Sequence, residues 1–497
     1  QMHLICLRYF FEFTDMQGEK VYYGNYEFDK ECITNRDRMF DCPQNLREEE
    51  MFEVPEWAAN KVVYQIFPSR FAATEPVDKE LWYKAPITPM DDLHGNLRGI
   101  IEHMDDIQNL GIDVLYMTPI FQSNSCHKYD TMDYYQIDPS FGTTEDLKEL
   151  VQKAHERGMK VVLDAVYNHT GREFFAFADI LENGEKSKYR DWYFIDGFPL
   201  KSEWGEIPNF KCFGYYGGMP KLNLKNPEVE KYITDVACYW IKECDIDGWR
   251  LDVGDEISHF FWKNFRKAVK AVKKDMLIIG EIWHYAGDFL EGDEWDTVMN
   301  YPFYLNLIDL LADEKITVSQ FVQNLGYLKG RLHKNCYPLM WNLIDSHDTA
   351  RFLHLCNDNK KKQHLAAAFQ LLLPGMPMIY YGDEYAMPGA NDPDCRRGMY
   401  WDEEYQDKEM YEWYKRLIQV RKSHACIVEG ELAGSVTEDE EGTVVLIRKN
   451  GEETIAMIFN CSSSAKKFNE YTQKYNLLTE NTFDGNVEGF DAAVIVL

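Results

Sequence analysis

The sequence predicts an α/β chain folded as a (β/α)8 barrel, with an inserted subdomain after the third strand, a C-terminal β-sandwich and a partial N-terminal β segment. Three observations predict it. Eight short apolar runs alternate with helix-like stretches between residues 62 and 381, polar residues cluster just past the ends of many of those runs, and both flanks switch to strand-like patterning. A doubly wound sheet also alternates strands and helices, but only a closed barrel brings so many strand ends to one mouth.

Residues 1–55 read as the partial N-terminal β domain: a strand over 4–13, rich in aromatic and branched side chains, a turn over 15–19 and a returning strand over 20–26. A hairpin is not stable by itself, so this segment packs on something or is the second half of a larger domain. The barrel occupies 56–424. Its strands are expected at 62–67, 112–117, 161–165, 246–252, 277–282, 297–299, 340–344 and 377–381, with helices at 97–110, 144–157, 227–243, 259–272 and 360–372. Between the third and fourth strands lie about eighty residues, far more than a βα connection needs. Within them 168–222 carries many Gly and aromatic residues (Trp192, Tyr193, Trp204, Phe210, Phe213, Tyr215, Tyr216) and few helix signals. It reads as an excursion over the mouth that forms a cleft wall. After an amphipathic helix over 403–422, residues 425–497 return to β structure, with a hairpin at 443–460 turning at Lys449-Asn450-Gly451 and a last strand at 492–497.

Composition narrows the function. The 497 residues carry a net charge of −30, which argues against nucleic acid or an anionic membrane as partner and favours a neutral ligand. Aromatic residues make up 14% of the chain, suiting a sugar cleft in which flat rings stack on pyranose C–H faces, although large α/β cores also consume aromatics. Twelve cysteines are scattered without close pairs or interleaved histidines, so reduced thiols are the simplest account and neither zinc nor a disulfide framework is indicated. No apolar run approaches membrane-spanning length, and the 4–7 run, interrupted by Arg8, is no signal peptide. A cytoplasmic protein is expected, with the start at Gln1 leaving room for a leader removed earlier.

Three acids follow expected strands four, five and seven: Asp252, Glu281 and Asp348. Two carboxyls flanking a bond are what glycoside cleavage requires, and a third stabilises positive charge developing on the sugar ring. Arg250 lies two residues before Asp252, on the same side of a strand. That pair alone is as readily an ordinary structural ion pair; next to the other acids it is expected to hold Asp252 ionised, as the attacking group. Glu281, longer and without an adjacent arginine, is the expected proton donor. His169 and His347, at matching strand ends, suit hydrogen bonding to a hydroxylated ligand. Zinc lacks its helical H-E-x-x-H spacing, and no Gly-rich phosphate loop follows a strand.

The blocks DAVYNH (164–169), GWRLDV (248–253), GEIWH (280–284) and LIDSHD (343–348) resemble the signature of the α-amylase family of glycoside hydrolases. MPKLN (219–223), VYQIFPSRF (63–71), HKYDTMDYYQIDPSFG (127–142), VMNYPF (298–303) and NDPDCRR (391–397) resemble its neopullulanase/cyclomaltodextrinase/maltogenic amylase branch. The resemblance implies a retaining hydrolase of α-1,4 and some α-1,6 bonds in cyclodextrins, pullulan, maltooligosaccharides or starch, with transglycosylation. It makes Asp252 the nucleophile, Glu281 the acid/base and Asp348 the transition-state stabiliser. By the same match Arg250, His169, His347 and Asp164 hold the sugar at the cleavage subsite, Tyr129 stacks on it, Asp392 and Arg396 bind the next sugar on the non-reducing side, and Glu256 and Trp283 are acceptor-side residues. The alternatives are an oligo-1,6-glucosidase, against which MPKLN speaks, and a catalytically silent sugar-binding relative, against which the three acids speak.

Three departures stand out. Where calcium-binding relatives have Asn-Gly-Asp after the first strand, this chain has Ala72-Ala73-Thr74-Glu75, so the usual calcium loop is read as lost and no cofactor is expected to be required, calcium held elsewhere being the alternative. The usual Val-Ala-Asn-Glu after the nucleophile is Val253-Gly254-Asp255-Glu256. Members of the branch use a longer N-terminal domain to dimerise across the partner's active site. If the segment read here is the whole of that domain, the homodimer is expected to be weak or absent, the chain largely monomeric and the preference for cyclodextrin over starch milder.

Overall fold

A computed structural model describes residues 7–15, 17–25, 28–42, 53–201 and 207–497. Residues 4–6 of the first predicted strand, Met16, Tyr26 and Trp204 lie outside them. The chain divides into two compact units, 1–52 and 53–497.

In the second unit the predicted barrel is present. Its strands are β1 (Val63–Ile66), β2 (Val114–Met117), β3 (Lys160–Ala165), β4 (Gly248–Leu251), β5 (Leu277–Gly280), β6 (Thr297–Val298), β7 (Trp341–Asn342) and β8 (Met376–Tyr380). They pair in the order β6-β5-β4-β3-β2-β1-β8-β7, all parallel. The ring closes between β6 and β7 through one bridge, Met299 to Trp341, with the Asn300 N–H donating to the Trp341 carbonyl at 2.8 Å. Runs that read as continuously apolar do so because both faces of a parallel strand are covered. Val63, Val114, Tyr116, Val162, Leu277 and Met378 pack in one buried core.

Helix ends follow local chemistry. Thr143 and Asp146 form a reciprocal capping box on Thr144–Glu156, and the Asn226, Ser258 and Asn359 side chains cap Pro227–Cys244, His259–Val272 and Lys360–Leu372. The helix expected over 97–110 is two, Leu97–Glu102 and Met104–Leu110, broken at His103, whose ring stacks on Trp401 at 3.6 Å. The helix expected from 403 starts at Lys408, where Asp407 accepts from the Met410 N–H.

Among its described residues the excursion after β3 contains one α-helix, Phe175–Asn183, and folds back through bridges that pair His169 with Lys221 and Tyr193 with Leu222. These bridges bring the MPKLN segment to the end of β3. The C-terminal region is a six-stranded antiparallel sheet faced by the short pair Lys466–Lys467 and Asn486–Val487. Its core is Val445, Ala456, Ile458, Phe468, Phe483 and Ile495, while Phe459 stacks on Phe369 of a barrel helix at 4.2 Å.

Within the first unit the expected strand over 4–13 is two strands, Leu7–Tyr9 and Phe11–Thr14. The first pairs with Phe40–Cys42 and the second with Lys20–Tyr23, which in turn pairs with Phe28–Asp29. A change of partner at Phe10 is what divides the run.

Candidate active site

Register places the acids. Asp164 of β3 lies opposite Arg250 of β4, and Arg250 opposite Ile279 of β5, so Asp252 and Glu281 emerge side by side one step past the ends of β4 and β5. Gly280 is required there, because a Cβ would fall 2.1 Å from the Trp295 ring. Val253 is strained: a β-branched residue at φ +47°, a conformation costing roughly 1–3 kcal/mol. The turn it makes aims its N–H at Glu281, donating to Oε2 at 2.9 Å.

Arg250 is fully buried and gathers the acids. Its Nη1 lies 3.0 Å from both Asp164 and Asp252, and its Nη2 lies 2.9 Å from Glu281 and 3.9 Å from Asp348. The expectation that Glu281 has no adjacent arginine is therefore wrong. Local sequence shows which residues share a strand face with Arg250, but not which residues the neighbouring strand brings beside it. Burial pushes the Asp252 carboxyl well above the usual carboxylate range and raises Glu281 as well, while Arg250 opposes both shifts. Asp164 is raised to about 6, again by burial first. Asp164, Asp252 and Glu281, crowded around one guanidinium, cannot all ionise readily, so a proton is retained among the three above the ordinary carboxylate range. Among them Glu281 also accepts from Trp283 Nε1 at 3.2 Å, whereas Asp252, which lines the cavity, has its Oδ2 buried without a hydrogen-bond partner.

Both histidines are neutral. Burial lowers His169 to about 4 and His347 well below its ordinary value. His347 Nδ1 faces the Gln65 amide at 2.7 Å and its Nε2 faces Asp348 at 3.1 Å, with the Tyr129 ring parallel to it at 5.5 Å. The Tyr129 hydroxyl donates to Asp164 at 3.2 Å. Asp348 and Asp392 are tied together by Arg396, at 3.2 and 2.8 Å, and Arg396 Nε donates to the His347 carbonyl at 2.7 Å.

These groups surround a cavity of about 470 Å3, within the range of small-molecule sites. Of the residues expected to bind sugar, Tyr129, His169, Trp283, Asp392 and Arg396 line it together with the three acids. Asp164, Arg250 and His347 instead stand behind it and hold the lining groups. Glu256 lies to one side, paired with Lys221 at 2.7 Å, and the adjacent Asp255 lines the cavity. Sequence reasoning did not single out His127, Phe213, Met219 or Asp255 as lining residues. His127 and Met219 sit in quoted blocks, and Phe213, which stacks on His169 at 5.2 Å, was legible only as one aromatic among many in the excursion.

Among the described residues, no three His, Cys, Asp or Glu side chains come together as metal ligands, and no helix is long and apolar enough to cross a membrane.

The profile described as "Alpha amylase, catalytic domain" matches residues 65–430. The chain is 45% identical over 452 residues to a cyclomaltodextrinase of Geobacillus thermopakistaniensis, covering 90% of this chain and 76% of that protein. It is 42% identical over 460 residues to neopullulanase 2 of Thermoactinomyces vulgaris, covering 91% and 78%. A solved cyclomaltodextrinase superposes with a TM-score of 0.91 at 37% identity, covering 99% of this chain and 87% of that one. With its barrel, its buried acids and these matches, the chain belongs to the α-amylase family of glycoside hydrolases.

Proposed function

We propose that the protein cleaves α-1,4 bonds, and some α-1,6 bonds, in cyclodextrins, pullulan, maltooligosaccharides or starch by a double displacement, with some transfer to sugar acceptors. The observation that carries this reading is Asp252, with one carboxylate oxygen unpartnered, beside Glu281 in the wall of an aromatic-lined cavity. Asp252 attacks the anomeric carbon, and Glu281 protonates the departing oxygen and later activates water. A ring seated on Asp252 presents growing positive charge to that carboxylate. This favours its ionised form and leaves the proton of the cluster to Glu281. Asp348, held by Arg396 and His347, adds negative charge opposite the ring. Tyr129 supplies a stacking face and His169 a neutral hydrogen-bonding group.

Relatives named for cyclomaltodextrin and pullulan support the substrate class, and chromatography of products from cyclodextrin, pullulan, starch and maltoheptaose tests it. Proton NMR of the fresh product tests the chemistry. The first sugar released is expected as the α-anomer, and an initial β-anomer sinks the double displacement.

Chelation is expected to leave kcat unchanged, because Ala72-Ala73-Thr74-Glu75 replaces the Asn-Gly-Asp calcium loop. Inactivation by EDTA with recovery on adding calcium refutes this. A cytoplasmic location is part of the proposal and rests on the free thiols, among them buried Cys244, Cys336, Cys356, Cys395 and Cys426.

A further inference from the structure

Trp283 belongs to two cavities. One face of its indole stacks on Tyr301 at 4.0 Å, its Nε1 is tied to Glu281, and the side chain remains 43% exposed. On its inner side lies the cavity with Asp252 and Glu281. On its outer side lies a second cavity of about 420 Å3, set against the helices Tyr301–Leu307 and Val318–Arg331 and lined by Tyr285, Leu305, Asn306, Asn324, Tyr327 and Arg331.

The walls of this outer groove are preformed. The Arg331 guanidinium lies 3.7 Å over the Tyr285 ring and 5.0 Å from that of Tyr327, and the Tyr285 hydroxyl donates to the Arg331 carbonyl at 3.1 Å. Asn324 donates to Asn306 at 2.8 Å, fixing both amides. Yet Tyr327 is 65% and Leu305 46% exposed, an uncovered apolar surface beside hydrogen-bonding groups. Flat rings next to oriented amides and a half-exposed Asp309 make a surface suited to a neutral polyhydroxylated chain, with C–H faces on the rings and hydroxyls on the polar rim.

Position selects the chain. Glu281 protonates the leaving group, so the leaving part of a glucan lies on the side of Glu281 and of the Trp283 bonded to it. A glucan extended in that direction passes Trp283 and meets Tyr327. We infer that the groove formed by Tyr285, Leu305, Tyr327 and Arg331 binds the leaving-side extension of an α-glucan and gives the enzyme a preference for longer chains. The inference rests on the α-glucan hydrolase reading above and adds a binding surface to it.

Contacts this far from the reacting bond act alike on ground and transition states, so they lower KM and leave kcat alone. The test is kinetic, on Tyr327→Ala and Leu305→Asn, two exposed positions whose change spares the core. On maltotriose, too short to pass Trp283 by more than a unit or two, both variants are expected to match the parent. On maltodecaose KM is expected to rise about 3- to 10-fold in Tyr327→Ala, the loss of one aromatic contact, and to rise in Leu305→Asn as well, with kcat unchanged in both. Calorimetric titration of maltodecaose into the same variants in an Asp252→Asn background is expected to show an equal weakening. Unchanged KM and affinity on the long chain overturn the inference and leave the groove to an apolar partner. An equal loss on maltotriose also overturns it, because the change then acts through Trp283. Failure of the parent enzyme on both glucans is distinguishable, since it overturns the hydrolase reading itself.

Discussion

Asp252→Asn is expected to lower kcat on maltooligosaccharides by about four to six orders of magnitude, the range seen when one member of a catalytic unit is removed. The amide is nearly isosteric and retains an oxygen for the Arg250 N–H, but it cannot attack the anomeric carbon. Stability is expected to move the other way. Asp252 is buried among three other carboxyls, and its carboxyl is raised well above the ordinary range by burial first. A group whose folded pKa is raised gives its stabilisation below the unfolded value, near 4, and loses it as pH rises through the folded value. Above the unfolded value the folded protein holds a proton that the unfolded chain releases, a cost that grows with pH and that the Asn variant does not have. Thermal unfolding should show the variant at least as stable as the parent, with the gap widening from about pH 4 towards neutrality. Mass spectrometry of the parent with a fluorinated glycosyl substrate should find the sugar on Asp252 and none in the variant. A variant that turns over normally removes Asp252 from the chemistry, and one that unfolds shows that its bond to Arg250 is structural.

Glu281→Gln is expected to cost about two to four orders of magnitude in kcat on maltooligosaccharides, the contribution of a positioned general acid/base. The loss should be smaller on aryl glycosides whose leaving group departs without a proton. Glu281 is raised by burial, so the parent should keep its acid form to a higher pH than an ordinary glutamate and show a bell-shaped kcat/KM profile. Its alkaline limb reports loss of the cluster's proton and should disappear or shift in the variant. Because Arg250 touches Asp164, Asp252 and Glu281 alike, the apparent pKa values belong to the set rather than to one residue. Equal losses on both substrate types refute the assignment.

Much of the site was legible because barrel chemistry follows strand ends. Asp252 and Glu281 each lie one residue past an apolar run, and the structure brings both to the cavity wall. What could not be read was lateral. Nothing in the run around Arg250 shows that the next strand places Glu281 within 2.9 Å, since register is set by the whole sheet. The edges of β6 and β7 were hard for another reason: each keeps only two paired residues, so flanking apolar side chains such as Leu343 and Ile344 read as strand while belonging to buried loop. The break at His103 depends on Trp401, nearly three hundred residues away, and no local pattern encodes it. In the first unit the run over 4–13 looked continuous because alternation does not record a change of pairing partner.

The single bridge that joins β6 to β7 divides the catalytic groups by the way they are anchored. Asp252 and Glu281 ride on strands zipped to their neighbours along their length, whereas Asp348 follows β7, held on one side by β8 and on the other by the bridge at Met299 and the Asn300 bonds to Trp341 and Asn342. The fold thus places the nucleophile–acid pair by backbone pairing and the third carboxylate by side chains: Arg396 and His347 do for Asp348 what neighbouring strands do for the other two.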